Sequence, residues 1–132
     1  MKVFAQPIVL ACSLALAPVV AQADEIILFK CSFDWLCDPN RKCVDADLER
    51  RIKHNTDTNT AEVLRGNPLN RMAVHIGDRS VSFLEMQISG AVDVTTIKLM
   101  NGEAVHSTHA IDGITLNPMQ YLGECVALPS TE

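Results

Sequence analysis

Four histidines, an isolated glutamate in an apolar run and five cysteines are the residues of this chain best equipped for chemistry. His106 and His109 are three apart. On a helix that spacing puts two imidazoles over one metal ion, but on an extended strand it sends them to opposite faces. Val105-His106-Ser107-Thr108-His109 reads as strand, so a shared metal site is not expected there. His75 falls on the polar phase of its segment and His54 lies near a loop, which makes the histidines surface or rim residues. Glu85 interrupts the apolar stretch of residues 80–88 and is expected at a strand edge, facing solvent. Ser107 lies between His106 and Thr108, and strand neighbours point away from one another. The chain has no G-x-S-x-G elbow and no glycine-rich phosphate loop. On these grounds no catalytic, cofactor-binding or metal-ligating residue is assigned, and no cofactor is expected.

The cysteines carry a different chemistry. Cys12 lies inside an apolar stretch from about Ile8 to Val20 that follows Lys2 and ends in the small-x-small motif Ala21-Gln22-Ala23. This is the pattern of a cleavable signal peptide over residues 1–23, and the stretch is too short and proline-interrupted for a membrane anchor. Residues 24–132 then form one domain of 109 residues with four cysteines, Cys31, Cys37, Cys43 and Cys125. An even count in an exported domain implies two disulfides. A zinc site is disfavoured because the first three are separated by five residues each and no C-x-x-C pair occurs. Three connectivities remain open. The one expected joins Cys37 to Cys43 across Asp38-Pro39-Asn40 and Cys31 to Cys125, the latter closing a 95-residue loop.

The elements that must hold these residues follow a period of two. Residues 26–33 place Ile27, Phe29, Cys31 and Phe33 on one face. A cysteine-rich loop carrying Trp35 and Leu36 is expected next. Residues 48–54 and 61–65 flank the polar turn Asn55-Thr56-Asp57-Thr58-Asn59-Thr60, and their low apolar content puts this hairpin at a sheet edge or end. Residues 71–76 alternate cleanly. Residues 80–88 switch phase, from Val81 and Phe83 to Leu84, Met86 and Ile88, which predicts a β-bulge. Asn101-Gly102 predicts a type I′ hairpin between residues 91–100 and 103–110. Asp112-Gly113 marks a turn, Pro118 is expected to interrupt pairing, and residues 119–128 close the chain. The fold class is all-β: a small antiparallel barrel or sandwich of about seven to eight short strands, disulfide-stapled.

Without Lys2 the exported chain has 10 basic and 16 acidic side chains, a net charge of −6. That argues against nucleic acid or an anionic membrane surface as a partner, since both need clustered Lys and Arg. The densest basic group, Arg50, Arg51 and Lys53, reads as the solvated face of one strand. Trp35 and Leu36 are candidate partner-binding residues, an apolar pair able to anchor an envelope protein. Tyr121 is expected to pack with its hydroxyl tied to backbone.

Cys31-x5-Cys37-x5-Cys43 together with Tyr121-Leu122-Gly123-Glu124-Cys125 resembles a group of small, functionally uncharacterised exported proteins of alphaproteobacteria. That group has a C-x5-C-x5-C start and a Y-x-G-x-C end, and residues 105–109 look like its penultimate strand. The resemblance implies an exported, stapled fold and transfers no catalytic residue. A weaker likeness is to the periplasmic β-barrel inhibitors of lysozyme, whose inhibitory loop has no counterpart here. The expected role is a non-enzymatic binding, accessory or inhibitor-like module, periplasmic or secreted. The alternatives are a small hydrolase or metal-binding protein using His106 and His109 with carboxylates such as Glu85, and a structural envelope component. No oligomeric state follows from the sequence.

Overall fold

The computed structural model describes residues 25–129 apart from residue 41. The segment read as a signal peptide lies outside the described residues. Eight strands follow one another along the chain: β1 (Ile26–Cys37), β2 (Cys43–Asn55), β3 (Thr60–Val63), β4 (Arg71–Ile76), β5 (Ser80–Met86), β6 (Val92–Lys98), β7 (Glu103–Asp112) and β8 (Thr115–Pro129). All pairings are antiparallel, in one sheet of order β3-β2-β1-β8-β7-β6-β5-β4. The sheet curls until its end strands, β3 and β4, lie side by side, so the architecture is a nearly closed barrel rather than a sandwich. At this seam Asn59 provides a bridge, its Nδ2 donating to the Val74 carbonyl at 3.5 Å.

Inward residues alternate with outward ones around the sheet, as barrel closure requires. The apolar end is filled by Phe29, Ile52, Val81, Ile97 and Ala104 around the buried Cys31–Cys125 disulfide. Phe29 and Phe83 pack with ring centroids 5.4 Å apart and tilted by 59°. Burial of such a cluster supplies the main driving force, at about 25 cal/mol per Å² of apolar surface. The second disulfide, Cys37–Cys43, ties the ends of the β1–β2 hairpin. Both pairings are those expected from the sequence.

Several local expectations are corrected. The register of β5 runs unbroken against β4 from Val81 to Met86 and against β6 from Ser80 to Met86, so there is no bulge in β5. What looked like a phase switch is a continuing inward phase, Val81, Phe83, Glu85, whose third member is charged. The irregularity lies between Phe33 and Trp35 of β1, which has one residue more there than β8 and one fewer than β2. There the barrel bends and Gly123 of β8 permits close approach: a Cβ at this position would fall 2.0 Å from the Ser32 carbonyl oxygen. Trp35 and Leu36 therefore stand on a strand, not in a cysteine-rich loop.

The β6–β7 connection is also different from the expected two-residue type I′ turn. Its residues 99–102 form the turn, and only Gly102 has positive φ, at 75°, with its amide donating to the Lys98 carbonyl. Pro118 does not end β8. It falls where β8 pairs with β7 alone, and only one side of the strand needs ladder donors.

Candidate functional site

Where the apolar filling ends, the barrel interior becomes polar. β2 contributes Arg50, β5 Glu85, β6 Asp93 and Thr95, and β7 His106, each on the inward phase of its strand. Arg50 forms an ion pair with Glu85 through Nη2 and Oε2. The other Glu85 oxygen accepts from Asn70 Nδ2 at 2.7 Å. Arg50 Nη1 also reaches His106 Nε2 at 3.4 Å. A guanidinium can only donate, so this ring nitrogen is an acceptor. The neutral imidazole then carries its proton on Nδ1 and donates it to Thr95 Oγ1, 2.9 Å away. Burial first, and the Arg50 charge second, push the His106 pKa down from 6.5 to about 4.

The ring of His106 lies between Phe33, at 5.7 Å, and Tyr121, at 5.9 Å. Tyr121 packs against the core as expected, but no protein group among the described residues hydrogen-bonds its hydroxyl. Asp93 is the cross-strand partner of Glu85 and accepts from Gln87 Nε2 at 2.8 Å. A cleft of about 810 Å³ opens onto this polar floor between β2, the β3–β4 connection and the β5–β6 end, with Arg50, Glu85, Gln87 and Asp93 on its floor and Arg51 and Arg65 among its walls. A smaller cleft of about 290 Å³ at the β3–β4 seam shares Val63, Asn70 and Glu85 with it. The interior of an eight-stranded barrel is wide enough for one small ligand, and both volumes are in or near the range of ligand sites.

Four corrections to the residue-level reading follow. Glu85 is not a solvent-facing edge carboxylate but 6% exposed inside the barrel. His106 and His54 are buried rather than on the surface or rim; His54 donates from Nε2 to Asn59 Oδ1 at 3.3 Å and meets Phe83 edge-on. Arg50 leaves the basic cluster on β2 and points inward, because residues 50 and 51 lie on opposite faces of the strand. His106 and His109 do split to opposite faces, so the two cannot share a ligand or a metal. Among the described residues no three His, Cys, Asp or Glu side chains gather in a metal-binding geometry.

Of the candidate partner residues, Trp35 is 49% exposed on the outer wall beside its cross-strand neighbour Leu122, and Leu36 is half-buried opposite Tyr121. The members of the cluster that sequence reasoning missed are Arg50, Asn70, Asp93 and Thr95. One signal was available: Glu85 and Asp93 each hold the inward phase of an otherwise apolar or β-branched strand. No family model matches the chain, and neither a curated protein nor a solved structure is significantly similar to it.

Proposed function

We propose that this chain is a non-enzymatic binding module, exported to an oxidising compartment such as a periplasm, whose binding end is the polar mouth of the barrel. The observation that carries the reading is the cleft of about 810 Å³ floored by the buried carboxylates Glu85 and Asp93 and the half-buried Arg50. Buried charges cost stability unless they are paired, and two buried carboxylates sharing one half-buried guanidinium at an open mouth suit recognition better than folding. The groups nearest to catalysis are already engaged: both Glu85 oxygens accept hydrogen bonds, both His106 nitrogens are partnered, and the four cysteines are in disulfides. Two disulfides fit an oxidising compartment. The likeness to small exported alphaproteobacterial proteins supports the same location.

The test is a thermal-shift and calorimetric screen of the oxidised protein against amino acids, short peptides, amines, organic acids and sugars. A ligand at a hundred times its Kd should stabilise the fold by about 2.7 kcal/mol. The effect should shrink in Asn70→Ala, which alters the mouth without touching the apolar core. If no compound binds, the small-ligand reading fails.

A second reading is favoured by one specific observation, the half-exposed Trp35 beside Leu122 on the outer wall. Such an apolar pair suits an envelope protein partner, with Trp35 as the anchor. Replacing Trp35 by Ala should then abolish capture of that partner while leaving the melting temperature unchanged. Equal capture by the folded variant removes the outer wall from the account.

A further inference from the structure

The polar mouth carries an unbalanced charge. Among the described residues, Arg50, Glu85 and Asp93 are the charged side chains of its floor, and the one cation, Arg50, is committed to Glu85. Asp93 is 6% exposed, and its one hydrogen bond among the described residues comes from the neutral Gln87 amide. The β5–β6 register sets Asp93 directly opposite Glu85. Like charges facing each other across a ladder repel, and a carboxylate taken from water without a cation is costly. His106 in the next layer supplies no positive charge, since burial keeps it neutral. Two further polar atoms of this region are inaccessible and without a hydrogen-bond partner. They are Arg50 Nε and the hydroxyl of Thr108, the neighbour of Asp93 on β7. An arrangement that is unfavourable when empty and faces an open cleft is one that an occupant relieves.

We infer that the cleft takes a zwitterionic organic ligand, with an ammonium group against Asp93 and an anionic group at the lip beside Arg65. This deepens the binding reading above and rests on it. An alkylammonium fits better than a divalent metal ion. Glu85 already accepts from Arg50 and Asn70, which leaves a single carboxylate where a divalent ion requires several oxygen ligands. The cleft is also many times larger than an ion. Arg65, exposed, lines the same cleft further out, Glu49 and Arg51 of β2 lie exposed at its edge, and Leu48, Val63 and Leu64 offer apolar wall to a short aliphatic linker.

Four probes of one chain length separate these contributions: ε-aminocaproate, hexylamine, hexanoate and hexanol, titrated into the oxidised protein at low ionic strength. The two amines should bind, and hexanoate and hexanol should bind at least tenfold more weakly. Asp93→Asn should weaken both amines tenfold or more without lowering the melting temperature of the unliganded protein, because the repulsion with Glu85 is removed. Arg65→Gln should weaken ε-aminocaproate but not hexylamine. Equal binding of hexanol, or amine binding untouched by Asp93→Asn, overturns the inference. Should that variant not fold, the comparison of hexylamine with hexanol on the unaltered protein decides the matter. Binding of some other ligand class that is indifferent to Asp93 would overturn the cation assignment and leave the binding reading standing. Failure of every ligand would remove both.

Discussion

His106 and Glu85 show how the same barrel interior treats two titratable groups. The His106 pKa lies at about 4 because burial opposes the imidazolium and Arg50 adds a like charge. Its folded value is below the unfolded 6.5, so the neutral ring contributes stability that is fully present above pH 6.5 and is lost as the pH falls towards 4. The shift corresponds to about 3 kcal/mol. Chemical denaturation measured across that window should show the loss, and His106→Gln should flatten the slope. Glu85 is held by a cation rather than by neutrality. Its replacement by Leu leaves the half-buried Arg50 without its carboxylate, which should cost up to about 3 kcal/mol. Adding Arg50→Met to that variant should recover a large part of the loss, and a double-mutant cycle of urea midpoints measures it.

At the scale of the element, two segments carry most of the local information. The β1 bulge and Gly123 act together: the extra residue bends β1, and the absence of a side chain on β8 lets the strands meet. Gly123→Ala should therefore cost about 3 kcal/mol or more, since backbone atoms would have to move. Gly90→Ala, with open space around it but a φ of +87°, should cost only about 1 kcal/mol. The other segment is the end of the β7–β8 hairpin. Pairing with β6 stops at His109 and pairing with β1 stops at Gln120, so residues 110–117 form a two-stranded arm beyond the barrel wall. Ile111, Ile114 and Leu116 on this arm are exposed. A two-stranded ribbon alone is marginally stable, and its amides should exchange with deuterium ahead of those in β1 and β5.

The whole molecule depends on two covalent links of unequal reach. Cys31–Cys125 joins residues 94 apart in sequence and is buried, with exposures of 0% and 6%. On the chain-entropy model such a link contributes about 4–5 kcal/mol, against about 2 kcal/mol for the short Cys37–Cys43 loop. The buried pair is also screened from thiolate attack, whereas Cys43 is exposed. Graded dithiothreitol with alkylation and mass spectrometry should trap first a folded species reduced only at Cys37 and Cys43. Unfolding should follow only when Cys31–Cys125 opens.

The all-β class, the presence of two disulfides, the inward phase of β1 and β4, and the place of the β2–β3 hairpin at the sheet edge were legible along the chain, whereas the choice among three disulfide connectivities was decided by the fold. Each depends on local periodicity, turn residues or cysteine parity, which act over a few positions. The polar mouth was not legible. Arg50, Asn70, Glu85 and His106 come from four segments, and only barrel closure brings the Arg50 guanidinium within hydrogen-bond distance of Glu85 and His106. Periodicity assigns charged residues to the solvent face by default, so Glu85 read as a phase switch and Arg50 as part of a surface cluster. A buried charge is tolerated only where a partner from another strand meets it. That meeting is a property of the closed barrel and of no single strand.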